Sequence, residues 1–224
     1  TVVDDIYILH QRLKQRYPDV PLCIMGHSMG SFLTRTYLIR YPGTVKAAII
    51  MGTGWQPQAA ITGGLALANA IAAVSGENAT SELVTELAFG SYNKLFAPNR
   101  TKVDWLSADE SNVDDYIADP LCGADATVGL FRQMLHGIRF NQRQSHLRQM
   151  DREMPVLFVA GDKDPVGSCG KGVRQTYDAF RAAGMRDCTL KLYPGLRHEI
   201  LNEKAYTADI TKNIEAWLLS RLEK

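Results

Sequence analysis

Apolar residues recur along the chain in two alternating rhythms, and their succession outlines a fold. Val2, Ile6, Leu9 and Leu13 fall on one face of a helix over 2–17, with Thr1 and Asp4 placed to cap it. Pro18 and Pro21 end that helix. The uninterrupted run Leu22-Cys23-Ile24-Met25 then reads as a parallel strand covered on both faces. A helix over 29–41 carries Phe32, Tyr37 and Leu38 and stops at Pro42-Gly43; a second strand covers 45–51 and ends in Gly52-Thr53-Gly54-Trp55. From about Gln56 to Met150 the rhythm is helical, at 58–74, 80–97 and 126–148. Irregular stretches lie around Asp104-Trp105-Leu106-Ser107 and Pro120-Leu121-Cys122-Gly123. Alternation then returns, with a strand at 156–160, a helix at 171–183 stopped by Gly184, and a strand at 189–193. A last helix over 205–222 places Ile210, Ile214, Trp217 and Leu218 on one face. Strand–helix alternation on either side of a helical stretch predicts an open, mostly parallel α/β sheet. Residues 1–55 and 151–224 form its core, and 56–150 form an inserted helical cap.

Composition narrows the function classes. A chain of 224 residues, 46% hydrophobic, buries a sizeable core as one elaborated domain. The 25 basic and 24 acidic residues leave a net charge of +1 with no long block of either sign, so no nucleic-acid footprint is expected. Cys23, Cys122, Cys169 and Cys188 show no C-x-x-C spacing. With Cys23 in an expected core strand, the reading is a reduced, cytoplasmic protein. The longest apolar stretch, Ile61 to Val74, is interrupted by polar residues and glycines and falls short of the roughly 18 residues a spanning helix needs. No integral membrane segment and no signal peptide are expected.

The chemistry centres on Gly26-His27-Ser28-Met29-Gly30, set between the first strand and the second helix. This is a G-x-S-x-G corner that thrusts one serine out on a strained backbone. A side chain two residues before or after it is expected to collide across the turn. Ligands of open α/β sheets sit at the carboxyl ends of the strands. Two further strand ends carry suitable groups, Gly161-Asp162-Lys163-Asp164-Pro165-Val166 and Tyr193-Pro194-Gly195-Leu196-Arg197-His198-Glu199. Serine, acid, histidine is the hydrolase chain order, and an inserted cap accounts for the long first gap. A serine hydroxyl needs an imidazole to take its proton, which His198 would do, and the imidazole needs a carboxylate behind it. Asp164 is preferred because it lies further into its loop; Asp162 is the rival, or a holder of the turn. The Met29 N–H, at a helix start, would face the developing oxyanion.

Blander readings stand beside these. Ser28 is also a possible N-cap, Asp162 and Asp164 an Asx turn or half of a metal site, and His198 a loop histidine bonded to backbone. His27 reads as turn packing, and His10, His136 and His146 as surface or cap residues. No H-E-x-x-H or phosphate-loop spacing occurs, so no metal and no cofactor are expected. The Ala-rich stretch at 65–73 suits packing, an acyl pocket, or both.

At these motifs, and over essentially its whole length, the sequence resembles the α/β-hydrolase superfamily. Within it the likeness is to the monoacylglycerol lipase and lysophospholipase-like branch, grouped with serine aminopeptidases. The cap segment Asp104-Trp105-Leu106-Ser107-Ala108-Asp109-Glu110 belongs to the same resemblance. It implies Ser28 as nucleophile, Asp164 as acid, His198 as base, Met29 as an oxyanion-hole amide, and Trp55 and Val166 as substrate-binding. The family pattern starts with several strands and a His-Gly loop that supplies a second oxyanion amide. Residues 1–25 contain no glycine. The expectation is therefore a carboxyl-terminal part of a larger enzyme, with Leu22–Met25 as an apolar unpaired edge. Such a chain, alone, would be aggregation-prone and nearly inactive, since losing one oxyanion donor costs about 10²–10³ in turnover.

The function expected is serine-dependent cleavage of carboxylic esters, lipid-like ones such as monoacylglycerols or lysophospholipids, through an acyl-Ser28 intermediate. The partner is thus a small-molecule ester or lipid. An aminopeptidase of the same fold is the nearest rival and needs a cap carboxylate, for which Glu77, Glu82, Asp109 and Asp114 are candidates. A ligand-binding protein that keeps the fold without turnover is the rival of another class.

Overall fold

A computed structural model describes residues 1–222. Four strands, β1 (Cys23–His27), β2 (Ala47–Met51), β3 (Val156–Gly161) and β4 (Cys188–Tyr193), form one sheet in that order. Every neighbouring pair is parallel, with Met25 opposite Ile49, Ile50 opposite Phe158, and Phe158 opposite Leu190. α1 (Val2–Arg16) precedes β1, α2 (Met29–Arg40) connects β1 to β2, and α3 (Gln58–Ser75), α4 (Glu82–Lys94), α5 (Glu110–Ala118), α6 (Val128–Asn141) and α7 (Gln144–Leu147) lie between β2 and β3. α8 (Lys171–Ala182) follows β3 and α9 (Thr207–Leu222) follows β4.

Alternation along β2 and β3 divides the core into two layers. Ala48, Ile50, Val156, Phe158 and Ala160 face α1, α2 and α8, where Tyr37, Leu38, Val173 and Phe180 are buried. Ala47, Ile49, Met51, Leu157 and Val159 face the other way, onto Ile210, Ile214 and Trp217 of α9. Parallel strands covered on both sides read as continuous apolar runs, which is why β2 and β3 are legible as strands. A third cluster, Phe32, Ile61, Leu65, Ile138 and Val166 with Tyr92, Trp105, Met134 and Leu135 against it, joins the helical insert to one rim of the sheet. At the end of the insert, Phe140, Leu147 and Met150 pack into the layer beneath α2.

Four expectations are corrected. β1 is the end strand of the sheet, the edge that the resemblance implied, but it is not covered on both faces, with Met25 53% exposed and Cys23 exposed. Cys23 is therefore no core thiol. Burial instead pushes the Cys188 thiol up to about 12. The stripe Val2, Leu9 and Leu13 on α1 faces solvent, while Val3 is buried and Ile6 and Tyr7 pack onto the core; the helix and its Thr1–Asp4 capping box are as expected. α3 spans 18 residues, with a mean hydropathy of 1.3, long and apolar enough by length and composition to cross a membrane. In the fold it lies against α6, with Ile61, Leu65 and Ala68 buried. Finally, α5 stands between the two stretches read as irregular, where no helix was expected. It is rich in acidic residues and buries only Val113, which leaves almost no apolar rhythm to detect.

Candidate active site

Parallel pairing brings the carboxyl ends of all four strands to one rim, and the candidate residues gather there. Ser28 closes the corner from β1 to α2 with φ +54° and ψ −120°, a conformation that costs an L-residue energy. Its side chain makes no capping bond to α2, so the N-cap reading does not hold. The corner is pinned by Ser28 N donating to Met51 O (3.1 Å) and by the Ser31 amide and hydroxyl donating to Ser28 O (2.9 and 2.6 Å). Gly26 is the steric requirement: a Cβ there would lie 2.2 Å from Gly30 O and 2.4 Å from Thr34 Oγ1. The expectation for Gly30 is corrected, because a Cβ on it would meet nothing within 4 Å. Met29 is the first residue of α2, where helix geometry leaves backbone N–H groups unpaired.

Asp164 and His198 are brought together. The Asp164 carboxylate is fully buried. Its Oδ1 accepts from Val166 N (2.9 Å) and faces His198 Nδ1 at 3.0 Å, with His198 only 2% exposed. A bond to a carboxylate holds a histidine ring in one orientation and leaves Nε2 as its other nitrogen. Asp162 does not compete for the histidine. Its Oδ1 accepts from Gly195 N (2.8 Å), tying the acid-bearing loop to the turn before His198. Gly161 makes the same junction tight, since a Cβ there would stand 2.0 Å from Leu196 O. On the other side, His27 Nε2 lies 3.0 Å from His198 O and the two rings are 4.5 Å apart, which places His198 beside the corner that carries Ser28. Burial, reinforced by His198, holds the His27 imidazole below its usual range. Among the described residues no cluster of histidine, cysteine and carboxylate groups is arranged to hold a metal ion.

Val166 joins the apolar cluster of Phe32, Ile61, Leu65 and Ile138, whereas Trp55 lies apart from it, with its ring 6.0 Å from the Arg35 guanidinium. Three features escaped the sequence reading. Arg35 is completely buried on α2, donates to Gly54 O (2.9 Å) and Thr53 Oγ1 (3.3 Å), and is pushed down to about 9 by burial. The signal for it is a charge in the middle of α2, seven residues after Ser28, on the helix face shared with Phe32. Trp105 lies 5.1 Å from the His198 ring. Tyr92, edge-on to Trp105, has its phenol pushed up to about 12, by burial and then by the charge of Asp164.

A family model described as serine aminopeptidase, S33, matches residues 1–205. The monoacylglycerol lipase of Mycolicibacterium smegmatis is 30% identical over 225 residues, covering 98% of this chain and 70% of that protein. The monoglyceride lipase of Mus musculus is 26% identical, covering 94% of this chain and 62% of the relative. A thermostable carboxyl esterase from Bacillus coagulans, solved in complex with glycerol, superposes with a TM-score of 0.90 at 24% identity, over 97% of this chain and 70% of the esterase. At that identity the superposition establishes the α/β-hydrolase fold.

Proposed function

Because this chain belongs to the serine aminopeptidase, S33, family of α/β-hydrolases, we propose that it forms the catalytic part of a serine hydrolase cleaving lipid-like carboxylic esters. Monoacylglycerols and lysophospholipids are the substrate class, and both relatives named above carry the name of a monoacylglycerol or monoglyceride lipase. The observation that carries the reading is the buried Asp164–His198 pair at 3.0 Å, set beside the strained Ser28 corner. In the reaction Ser28 Oγ attacks the ester carbonyl as its proton passes to His198. The Met29 N–H faces the oxyanion, and Asp164 stabilises the imidazolium. The alcohol leaves with the proton from His198, and a water activated by His198 then hydrolyses acyl-Ser28. Residues 1–55 and 151–222 are the core, and 56–150 act as a cap whose cluster with Phe32 and Val166 suits an acyl chain; residues 223–224, expected in the core, lie outside the described residues. Four free cysteines suit a reducing, cytoplasmic location.

The family description favours one second reading, an aminopeptidase, which needs a free carboxylate near Ser28 to hold an ammonium group. Glu77 is paired with Arg132 and Asp114 with Arg100, Asp109 caps α5, and Glu82 lies exposed in the first turn of α4. These commitments support the ester reading. In the full-length protein, a fluorophosphonate should label Ser28, and Ser28→Ala should lower ester turnover on the order of 10³-fold or more. Nitrophenyl esters of graded acyl length should be cleaved in preference to aminoacyl amides. Preference for the amides would transfer the protein to the second reading, and a fully active Ser28→Ala would end both.

A further inference from the structure

The segment 104–109 of the insert is fastened to the loop that carries His198 at three places. Arg197 Nη1 donates to the carbonyls of Asp104 (2.5 Å) and Ser107 (3.0 Å). The Glu199 N–H donates to Leu106 O at 2.8 Å. Glu203, only 3% exposed, accepts one backbone N–H on each carboxylate oxygen, from Ala108 at 2.8 Å and Asp109 at 3.1 Å. Arg197 and Glu199 are the immediate chain neighbours of His198, and the segment they hold sets Trp105 5.1 Å from the imidazole. Charge-assisted bonds of this kind are short and strong, and a buried carboxylate with both oxygens engaged is costly to release. The rest of the insert is held differently. α4 buries only Val84, with Leu83, Leu87 and Leu95 exposed.

We propose that Arg197 and Glu203 are positioning residues for His198: they make segment 104–109 a fixed wall that sets the imidazole against Ser28, so that any opening of the cap takes place in α4. This rests on the assignment of His198 as the base. Displacing a reacting group by about 1 Å costs on the order of 10²-fold in rate. The clamp therefore acts on kcat and not on substrate affinity.

In the full-length protein, Arg197→Met and Glu203→Gln should lower kcat by about 10- to 100-fold while KM stays within about twofold. Arg197→Lys keeps a single nitrogen able to meet both carbonyls and should recover most of the loss. By hydrogen exchange, the amides of residues 106–109 should exchange far more slowly than those of 82–95 in the wild type. Those of Ala108 and Asp109 should lose about tenfold in protection in Glu203→Gln, the loss of roughly one hydrogen bond. Wild-type kcat in both variants with Ser28→Ala inactive overturns the clamp and leaves the hydrolase reading intact. An active Ser28→Ala instead removes the reading on which the clamp rests. If Arg197→Met fails to fold, the isosteric Glu203→Gln and the exchange measurement decide; equal exchange of 106–109 and 82–95 overturns the proposal.

Discussion

His27 shows how one side chain joins stability to the site. Its Nε2 faces the His198 carbonyl at 3.0 Å, and burial keeps the ring neutral. Its folded pKa lies below the unfolded value of 6.5, so as pH falls the unfolded chain takes up the proton first. Stability is then lost as pH drops through about 6.5 and further down toward the folded value, and is unaffected by this group above that window. Glutamine at position 27 offers an Nε2 donor to the same carbonyl and does not titrate. His27→Gln should therefore flatten the fall in urea midpoint between pH 7 and pH 5, whereas an unchanged slope would show that other groups control it. The nearness of Asp164 to His198 was legible because two motifs stand at successive strand ends, and parallel pairing carries such ends to one rim. Arg35 was not legible, since a charged residue on a helix ordinarily marks a solvated face. The loop 53–54, folded back over α2, and the carbonyl of Asn141 at the end of α6 give its guanidinium acceptors away from water.

Elements meet most closely where β3 ends. A Cβ on Gly161 would stand 2.0 Å from Leu196 O and 2.3 Å from Arg197 O, backbone atoms unable to swing aside. Gly161→Ala should therefore shift the loop of His198, lower ester turnover on the order of 10²-fold, and cost about 1–3 kcal/mol of stability. Gly63, inside α3, is the contrast, since a Cβ there would meet nothing within 4 Å. Gly63→Ala should raise stability by about 0.5–1 kcal/mol with turnover unchanged. Denaturant titrations beside kcat measurements check both, and a neutral Gly161→Ala would show that the junction yields. Strands β2 and β3 were legible from unbroken apolar runs, and most helices from a clear period. The face that α1 turns inward was not, because Val2, Leu9 and Leu13 keep the helical period while facing solvent. Periodicity reports which residues share a side, and packing decides where that side points.

At the scale of the molecule, the sheet ends in two edge strands, β1 and β4. β1, with Met25 exposed, and the outward stripe of α1 together present apolar surface beside unpaired strand edge. Such edges recruit further chains. For these 224 residues expressed alone, Met25→Lys with Leu9→Lys should lower concentration-dependent self-association, read by light scattering. No change would place the sticky surface elsewhere, with the exposed leucines of α4 next to examine. The layered architecture was legible from alternation alone, whereas the edge position of β1 was legible only through the family resemblance, because a local run of apolar residues is silent about what lies beside it. The shared direction of the four strands has a practical side as well. Their starting ends all lie on the rim opposite Ser28, near Lys46, Glu153 and Asp187. A bead, electrode or fusion partner coupled at Lys46 would leave the reactive rim turned outward, so that an immobilised preparation keeps its mouth open to the solution.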